Sequence, residues 1–328
     1  MNVDRTLVPI LLLASPTLAL WGCPADGEAD DVDAAVDTVT AETVGEDAAA
    51  DTVMADTAPP PRRCNGFAEL CGRRLDEIVF PATHNSMNNG DDGWVGPNQT
   101  HDVPRQLADG VRGLLIDTHE WNGEPYLCHG ICELGSQPLV EALTEIRVFL
   151  DDHPDELLFL IIEDHLGKET TLEAFDESGL DAYALTLTDG ERPPVLEDAL
   201  DAGTRLLVTF ESGGPEPAWY HHVWDFTFDT PYAFDAPEAF SCVCNRGCGG
   251  RESKPFFLLN HFITRAIGFI EEAEVVNQRE VLLARARECE DALGHLPNLV
   301  AVDFYEVGDL FDVVAILNGL DGAASESP

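Results

Sequence analysis

The chain alternates between short, almost continuously apolar runs and longer stretches in which apolar and charged residues mix. Eight apolar runs have the length and content of β-strands, at residues 78–82, 113–117, 125–128, 157–162, 205–210, 223–228, 256–260 and 299–304. Several of these runs are apolar at nearly every position, which indicates strands buried on both faces, as in a parallel sheet.

Amphipathic helical patterns lie between some of the runs. Residues 137–152, 271–293 and 309–320 place apolar side chains on one helical face. Eight strands with intervening helices predict an α/β fold, an irregular (β/α)8 TIM barrel, with a doubly wound sheet as the alternative. The barrel is expected to be irregular because the connections 118–125 and 229–255 show no clear helix.

Polar side chains directly follow most of the predicted strands. They are His84 and Asn85, Asp117, His129, Glu163, Glu211, Asn260 and Asp303. In a barrel, the C-terminal ends of the strands form one mouth, and catalytic side chains lie there. One such acid is often only a helix cap, but this concentration predicts a catalytic mouth.

Two histidines in this set suit paired acid and base catalysis. His84 and His129 end two predicted strands, as a general base and a general acid would. Asp303 ends the last strand, which in a closed barrel lies beside the first. We therefore expect Asp303 to orient and charge-stabilise His84. The alternative is that Asp303 caps the helix beginning near Asp309.

The remaining acids and one amide at the mouth are hard oxygen donors. Asn85, Asp117 and Glu163 suit Ca²⁺, or Mg²⁺, completed by water and substrate oxygens. The alternative is a metal-free site in which these side chains hydrogen-bond to sugar hydroxyls or to one another.

The formal net charge of −43 excludes nucleic acid as a partner and disfavours anionic lipid surfaces. An anionic substrate therefore needs a local positive group or a metal ion. The chain has only two lysines, and both fall in loops predicted to follow strand ends. Lys168, Arg246, Arg251 and Lys254 are accordingly predicted to contact a phosphate group.

The N-terminal region has the features of an export signal. Residues 1–22 carry one arginine and a short apolar core, and they end in Leu20-Trp21-Gly22-Cys23, which resembles the lipobox of bacterial lipoproteins. We expect Cys23 to be lipidated and the protein to be anchored in the cell envelope; without lipidation it would be secreted. The acidic, aperiodic residues 23–61 predict a disordered tether, which leaves residues 62–328 for the barrel.

Cysteine parity agrees with export. Nine cysteines cannot all pair, but without Cys23 eight remain, which in an exported protein predicts disulfides. Cys64–Cys71 and Cys128–Cys132 are the expected local bridges. The four other cysteines, Cys242, Cys244, Cys248 and Cys289, either pair or hold zinc.

The ordered motifs together resemble the phosphatidylinositol-specific phospholipase C X-domain superfamily, in its secreted, cysteine-containing branch. The likeness covers about residues 65–320. The motifs are Phe80–Ser86, Gln106–Asp117, Tyr126–Gly130, Phe159–His165, Leu258–Phe262 and Ala301–Tyr305.

This resemblance implies an irregular TIM barrel and a role for each matching residue. His84 matches the general base that deprotonates the attacking inositol hydroxyl, and His129 matches the acid that protonates the departing oxygen. Asn85, Asp117 and Glu163 match the metal ligands of calcium-dependent members. Metal-independent bacterial members have an arginine at the position of Asp117.

The resemblance also narrows the substrate. The family's lysine-rich contacts for polyphosphorylated lipids are not recognisable, so phosphatidylinositol, its glycan-anchored forms or another phosphodiester is expected, acted on by a monomer. Leu115 stands where calcium-dependent members carry a further acid. The alternatives are a glycerophosphodiester or sphingomyelin-type phosphodiesterase on the same barrel, and a surface lipoprotein that binds a ligand without catalysis.

Overall fold

The computed structural model describes residues 61–265 and 268–320. Its strands are Phe80–Thr83 (β1), Gly113–Trp121 (β2), Glu124–Leu127 (β3), Gln137–Pro138 (β4), Leu158–Asp164 (β5), Leu206–Phe210 (β6), His221–His222 (β7), Thr227–Asp229 (β8), Phe256–Asn260 (β9) and Leu299–Val302 (β10). Its α-helices are Ala68–Cys71 (α1), Val103–Ala108 (α2), Leu139–Asp152 (α3), Lys168–Ser178 (α4), Leu196–Asp201 (α5), Val223–Phe226 (α6), Ile270–Val276 (α7), Arg279–Leu293 (α8) and Leu310–Leu317 (α9).

Eight of the strands form one curled parallel sheet in the order β7-β6-β5-β2-β1-β10-β9-β8. The first and last strands of the chain pair as expected, with Phe80 opposite Leu299 and Thr83 opposite Val302. Within the described residues, β7 and β8 do not pair, so the barrel is open at this seam. The predicted irregular (β/α)8 barrel is confirmed.

Alternate residues of each strand pack on opposite faces of the sheet. Leu160 and Val300 belong to the core shared with the surrounding helices, whereas Phe159 and Ala301 belong to the core inside the barrel. The interior is tightly filled: a Cβ on Gly113 would lie 2.6 Å from the Ala82 Cβ. Below the strand ends the interior is therefore filled, mainly by apolar side chains.

One predicted barrel strand, 125–128, was placed wrongly. The observed β3 pairs antiparallel with the far end of β2, Thr118 opposite Leu127, and lies outside the barrel. Asn122 and Gly123 connect the two strands with φ of 55° and 85°. An Asn-Gly pair favours this two-residue hairpin turn, so the ribbon was readable from the sequence.

Two other predictions change in detail. The predicted strand 223–228 begins as the short helix α6 and becomes β8 only at Thr227. The predicted helix 271–293 is two helices, because the helical conformation is interrupted at Asn277. The side-chain amide of Asn277 donates to the backbone carbonyl of Asp303 at 2.8 Å. The helices predicted at 137–152 and 309–320 are observed as α3 and α9, which lie within these ranges.

Four disulfides lie within the described residues. Both predicted local bridges, Cys64–Cys71 and Cys128–Cys132, are confirmed. The zinc alternative is wrong, because the other four cysteines form the pairs Cys242–Cys289 and Cys244–Cys248. Bonded sulfurs offer no thiolate to a metal.

The predicted signal segment, Cys23 and most of the acidic tether lie outside the described residues. Among the helices of residues 61–265 and 268–320, none is long and apolar enough to cross a membrane.

Candidate active site

The interior rows of the barrel strands become polar at their C-terminal ends. Every second side chain along a strand faces the interior, and the last such position in seven strands carries a polar group. These residues are His84, Asp117, Glu163, Glu211, Asp229, Asn260 and Asp303. The strand alternation therefore builds the predicted mouth.

His84 is fixed on two sides. Its Nδ1 lies 2.8 Å from Oδ1 of Asp303, so the predicted contact is present and Asp303 is not a helix cap. The imidazole also stacks on the Phe262 ring, with centroids 3.6 Å apart and planes 3° apart. With Nδ1 bound to the carboxylate, Nε2 is the nitrogen left for a substrate.

A chain of amide side chains connects this pair to the second histidine. Asn98 Nδ2 donates to the other Asp303 oxygen at 3.0 Å, and Asn98 Oδ1 accepts from Asn85 Nδ2 at 3.1 Å and Asn88 Nδ2 at 2.7 Å. Asn85 Nδ2 also lies 3.2 Å from His129 Nε2. The two predicted catalytic histidines are thus joined through Asp303 and two asparagines.

Asn88 and Asn98 were not predicted as site residues. The available signal was the concentration of four asparagines between residues 85 and 98, in a loop directly after a buried strand. Gln99 completes this loop, because its Nε2 donates to the backbone oxygens of His84 at 2.8 Å and Val302 at 3.0 Å.

His129 lies at the rim, after the ribbon β2–β3, and its side chain is exposed. Partial desolvation, followed by the nearby His84, lowers the pKa of His129 below its usual value. A lower pKa makes its protonated form a stronger acid, which suits proton donation.

The cavity beside His84 has a volume of about 80 Å³ and opens to solvent. All three predicted metal ligands, Asn85, Asp117 and Glu163, line it. Asp117 and Glu163 are opposite each other in the β2–β5 register, and Glu211 follows on β6. Glu211 was predicted to follow a strand but was not predicted as a site residue.

Two neighbouring carboxylates raise the cost of ionising Asp117. Burial, then Glu163 and Glu211, raise the pKa of Asp117 to about 8. Burial also raises the pKa of Glu211, which Arg246 opposes. A divalent cation would relieve this repulsion, and amide and carboxylate oxygens are suitable donors. In residues 61–265 and 268–320, no three His, Cys, Asp or Glu side chains are arranged to hold a metal by themselves. Asn85, water and substrate oxygens would therefore have to complete the set.

Arg246 also lines the cavity. Its Nη1 lies 2.9 Å from Glu211 Oε1 and its Nη2 lies 2.7 Å from Asp229 Oδ2. Its two faces are covered by Trp224 and Tyr232, at 4.3 and 4.4 Å from the ring centroids. Both carboxylates and both rings fix the guanidinium in one orientation.

Comparison with known proteins places this barrel in a family. The family model described as PI-PLC X 1 matches residues 70–318. The chain belongs to the PI-PLC X-domain family.

Relatives of this X domain share its sequence moderately. An "Uncharacterized secreted protein" of Arthroderma benhamiae is 29% identical over 293 residues, which cover 79% of this chain and 64% of that protein. A "PI-PLC X domain-containing protein 1" of the same organism is 28% identical, over 78% of this chain and 90% of that protein. The chain thus spans less than two thirds of the first relative.

A solved structure supports the fold. A point mutant of the phosphatidylinositol-specific phospholipase C from Staphylococcus aureus aligns with a TM-score of 0.50 at 16% identity, covering 76% of this chain and 93% of that one. At this identity the likeness concerns the X-domain fold.

Three of the four predicted phosphate contacts are not among the residues lining this X-domain cavity. Lys254 Nζ donates to the backbone oxygens of Trp224 and Gly247, and Lys168 lies over the Tyr220 ring at 5.9 Å. Arg251 lies 3.9 Å from Glu252. Their role toward phosphate stays a prediction, whereas Arg246 does line the cavity.

Proposed function

We propose that this protein is a phosphoric diester hydrolase of the phospholipase C type, acting on phosphatidylinositol or a related phosphodiester. The observation that supports it is the hydrogen-bonded series His84–Asp303–Asn98–Asn85–His129. Of these residues, His84 and Asn85 line the cavity, and His129 reaches it through Asn85. The series brings a candidate base and a candidate acid to the same site, which an in-line displacement at phosphorus requires.

In this proposal His84 is the general base. The Nδ1–H of His84 donates a hydrogen bond to Asp303, and Nε2 takes the proton of the substrate hydroxyl as that oxygen attacks phosphorus. Asp303 is 7% exposed, so its charge acts on the forming imidazolium in a poorly solvated setting. The Phe262 ring prevents rotation of the imidazole away from the hydroxyl.

His129 is the general acid. Its imidazolium gives a proton to the departing oxygen, so that the P–O bond breaks without forming a free alkoxide. The lowered pKa of His129 favours this transfer. The substrate phosphate, when bound, supplies the negative charge that favours the protonated histidine beforehand.

A divalent cation, Ca²⁺ in the first instance, would be held by Asn85, Asp117 and Glu163. Bound there, it would stabilise negative charge on phosphate oxygens. The residues of this chain bring one further positive group, Arg246, to the same cavity. Its guanidinium is directed at Glu211 and Asp229, so we propose that it holds these carboxylates in place beside the headgroup rather than pairing with the phosphate.

Phosphorus NMR of purified protein with phosphatidylinositol tests the function. Wild type is expected to cleave the diester and to show a cyclic inositol phosphate before or instead of the open product. His84→Ala and His129→Ala are expected to remain folded and to lose on the order of 10²–10⁴-fold in turnover. Wild-type turnover by either variant would contradict the assignment, and binding without turnover would favour a non-catalytic ligand-binding protein.

Thermal unfolding tests the metal site without an activity assay. The folded-state pKa of Asp117 is raised from 3.8 to about 8, so its contribution to stability is complete below pH 3.8 and is lost as pH rises through 8. At pH 8, Asp117→Asn should therefore unfold at a higher temperature than wild type, and its free energy of unfolding should be larger by about 1 kcal/mol or more. At pH 4 the variant should show no such gain. Added Ca²⁺ should stabilise wild type at pH 8 and not the variant; equal stabilisation of both would contradict a site at Asp117.

Export and anchoring form the final part of the proposal. The four disulfides and a relative named as a secreted protein support export. We propose that residues 1–22 are removed, that Cys23 carries a lipid, and that the acidic tether holds the barrel away from the membrane. Mass spectrometry of the mature N-terminus tests this: an unmodified Cys23 would leave a secreted protein.

A further inference from the structure

His129 lies within a ring closed by a disulfide. Cys128 and Cys132 are four positions apart and bonded, so His129, Gly130 and Ile131 form the short connection between them. Cys128 still belongs to the ribbon, because its backbone amide donates a hydrogen bond to the Asp117 carbonyl at 3.4 Å. Beyond Cys128 the chain leaves the sheet, and no strand positions the histidine that follows.

The other side of the ring is attached to the asparagine loop. Cys132 begins a one-turn 3-10 helix, and the carbonyl of Leu134 at its end accepts from the Val95 amide at 2.8 Å. Gly135 lies so close to Trp94 that a Cβ there would be 2.3 Å from the ring. The disulfide therefore connects the ribbon to the loop that carries Asn85, Asn88 and Asn98.

Within the ring, the backbone directs His129 outward and the sulfurs inward. Gly130 has φ of +73°, and the Ile131 amide donates to the His129 carbonyl at 2.8 Å, which makes a tight turn. Cys128 is 0% and Cys132 7% exposed. The imidazole itself has only side-chain amides as partners in the part of the chain that the structure describes, at 3.2 Å from Asn85 and 3.5 Å from Asn88.

A second ring of the same size gives a comparison. Cys244 and Cys248 are also four positions apart and enclose Arg246. Arg246, however, is held by two carboxylates and two aromatic faces, independently of its ring. Among residues 61–265 and 268–320, His129 has no such contacts, so the covalent link is the feature that limits where its imidazole can lie.

We propose that the Cys128–Cys132 disulfide positions His129 for proton donation to the leaving group. This inference rests on the proposed function. Closing the ring removes most backbone conformations of residues 129–131 before substrate binds, which keeps the imidazole at the distance that proton transfer needs. Cys128 and Cys132 are thus positioning residues rather than contributors to stability alone.

Two substrates with different leaving groups distinguish positioning of His129 from a contribution to stability alone. An alkyl leaving oxygen needs a proton as the P–O bond breaks, whereas nitrophenolate departs as a stable anion. In the double variant Cys128→Ala/Cys132→Ala, kcat for an inositol phosphodiester with an alkyl leaving group should fall about 10–10²-fold, a part of what a general acid contributes. With the nitrophenyl ester, kcat should change less than about threefold, because no proton donor is required.

Cys64→Ala/Cys71→Ala is the matched control. Its disulfide lies at the opposite end of the barrel, where Asn65 pairs with the residues that precede β5. This variant also loses one disulfide, but the ratio of the two rates should stay that of wild type. An equal fall on both substrates in the Cys128/Cys132 variant, or no fall, would overturn the inference.

Two further measurements keep the test decisive. If the double variant does not fold, insertion of one glycine between Gly130 and Ile131 keeps the disulfide but widens the ring, and the same selective loss is expected; an unchanged rate ratio overturns the inference. If wild type turns over neither ester, the proposed function fails, and NMR decides the positioning separately. The nuclear Overhauser contact between the Asn85 side-chain amide and the His129 imidazole should be present in wild type and lost in the variant; its persistence would refute positioning by the ring.

Discussion

His84 and His129 occupy the same mouth but are held by different kinds of structure. His84 directly follows β1, between the neighbouring strands β10 and β2, and contacts Asp303 and Phe262. His129 follows a ribbon outside the barrel and is held by a disulfide ring and two amides.

The difference suits the two proposed tasks. A base must meet one hydroxyl at one place, which favours a rigid strand end with a charged partner. An acid must meet the departing oxygen at the rim, beyond the strand ends, and there the disulfide ring restricts the backbone instead of a strand. The asparagine loop connects the two positions, so each histidine also depends on Asn85 and Asn98.

The largest expected effect separates the two histidines by leaving group. His84→Ala should lower kcat on the order of 10²–10⁴-fold for both an alkyl and a nitrophenyl inositol phosphodiester, because attack always requires a base. His129→Ala should show a fall of that size only with the alkyl ester. Steady-state kinetics with both esters measures this, and a large loss with the nitrophenyl ester in His129→Ala would reverse the assignment.

Removal of the charge beside His84 should have the next largest effect. Asp303→Asn keeps the side-chain shape but not the negative charge that stabilises the imidazolium, so kcat should fall about 10²-fold with both esters. Asp312→Asn, the same substitution at an exposed position of α9, is the control. Equal kcat in Asp303→Asn and Asp312→Asn would show that the carboxylate has only a structural role.

Disruption of the hydrogen-bonded connection between His84 and His129 should have a smaller effect. Asn98→Ala removes the partner of Asp303, Asn85 and Asn88, and should lower kcat about 10-fold and the free energy of unfolding by about 1–3 kcal/mol. Asn89→Ala is the control, because within the described residues the side-chain amide of this buried residue bonds only to Met87 and Asp92. In denaturant unfolding, Asn89→Ala should lose about as much stability as Asn98→Ala, but it should retain kcat. A similar loss of kcat in both variants would show that Asn98 acts only by stabilising the loop.

Loss of the stacked ring should have the smallest effect. Phe262→Leu keeps an apolar group but removes the flat surface against His84, so kcat should fall only about threefold at a stability cost below about 1.5 kcal/mol. Phe234→Leu, at another buried position, should leave kcat unchanged. An unchanged kcat in Phe262→Leu would show that Asp303, and not the stacked ring, is the main constraint on His84.

Much of the barrel was predictable from local patterns. The apolar runs located six of its eight strands to within a few residues, and the strand alternation placed His84, Asp117 and Glu163 at the mouth. Local disulfides followed from short cysteine spacing. The ribbon β2–β3 was missed because a short apolar run has the same composition inside and outside a barrel, and only the Asn-Gly turn distinguished it.

By itself, the sequence determined which residue types end the strands, because hydrophobic alternation and chain spacing are local properties. Only the tertiary structure decided which of these side chains meet. Asp303 reaches His84 across 219 residues through closure of β10 on β1, and Asn98 enters the site from an irregular loop. Those contacts depend on strand register and loop path, which long-range packing sets, and no local pattern encodes them.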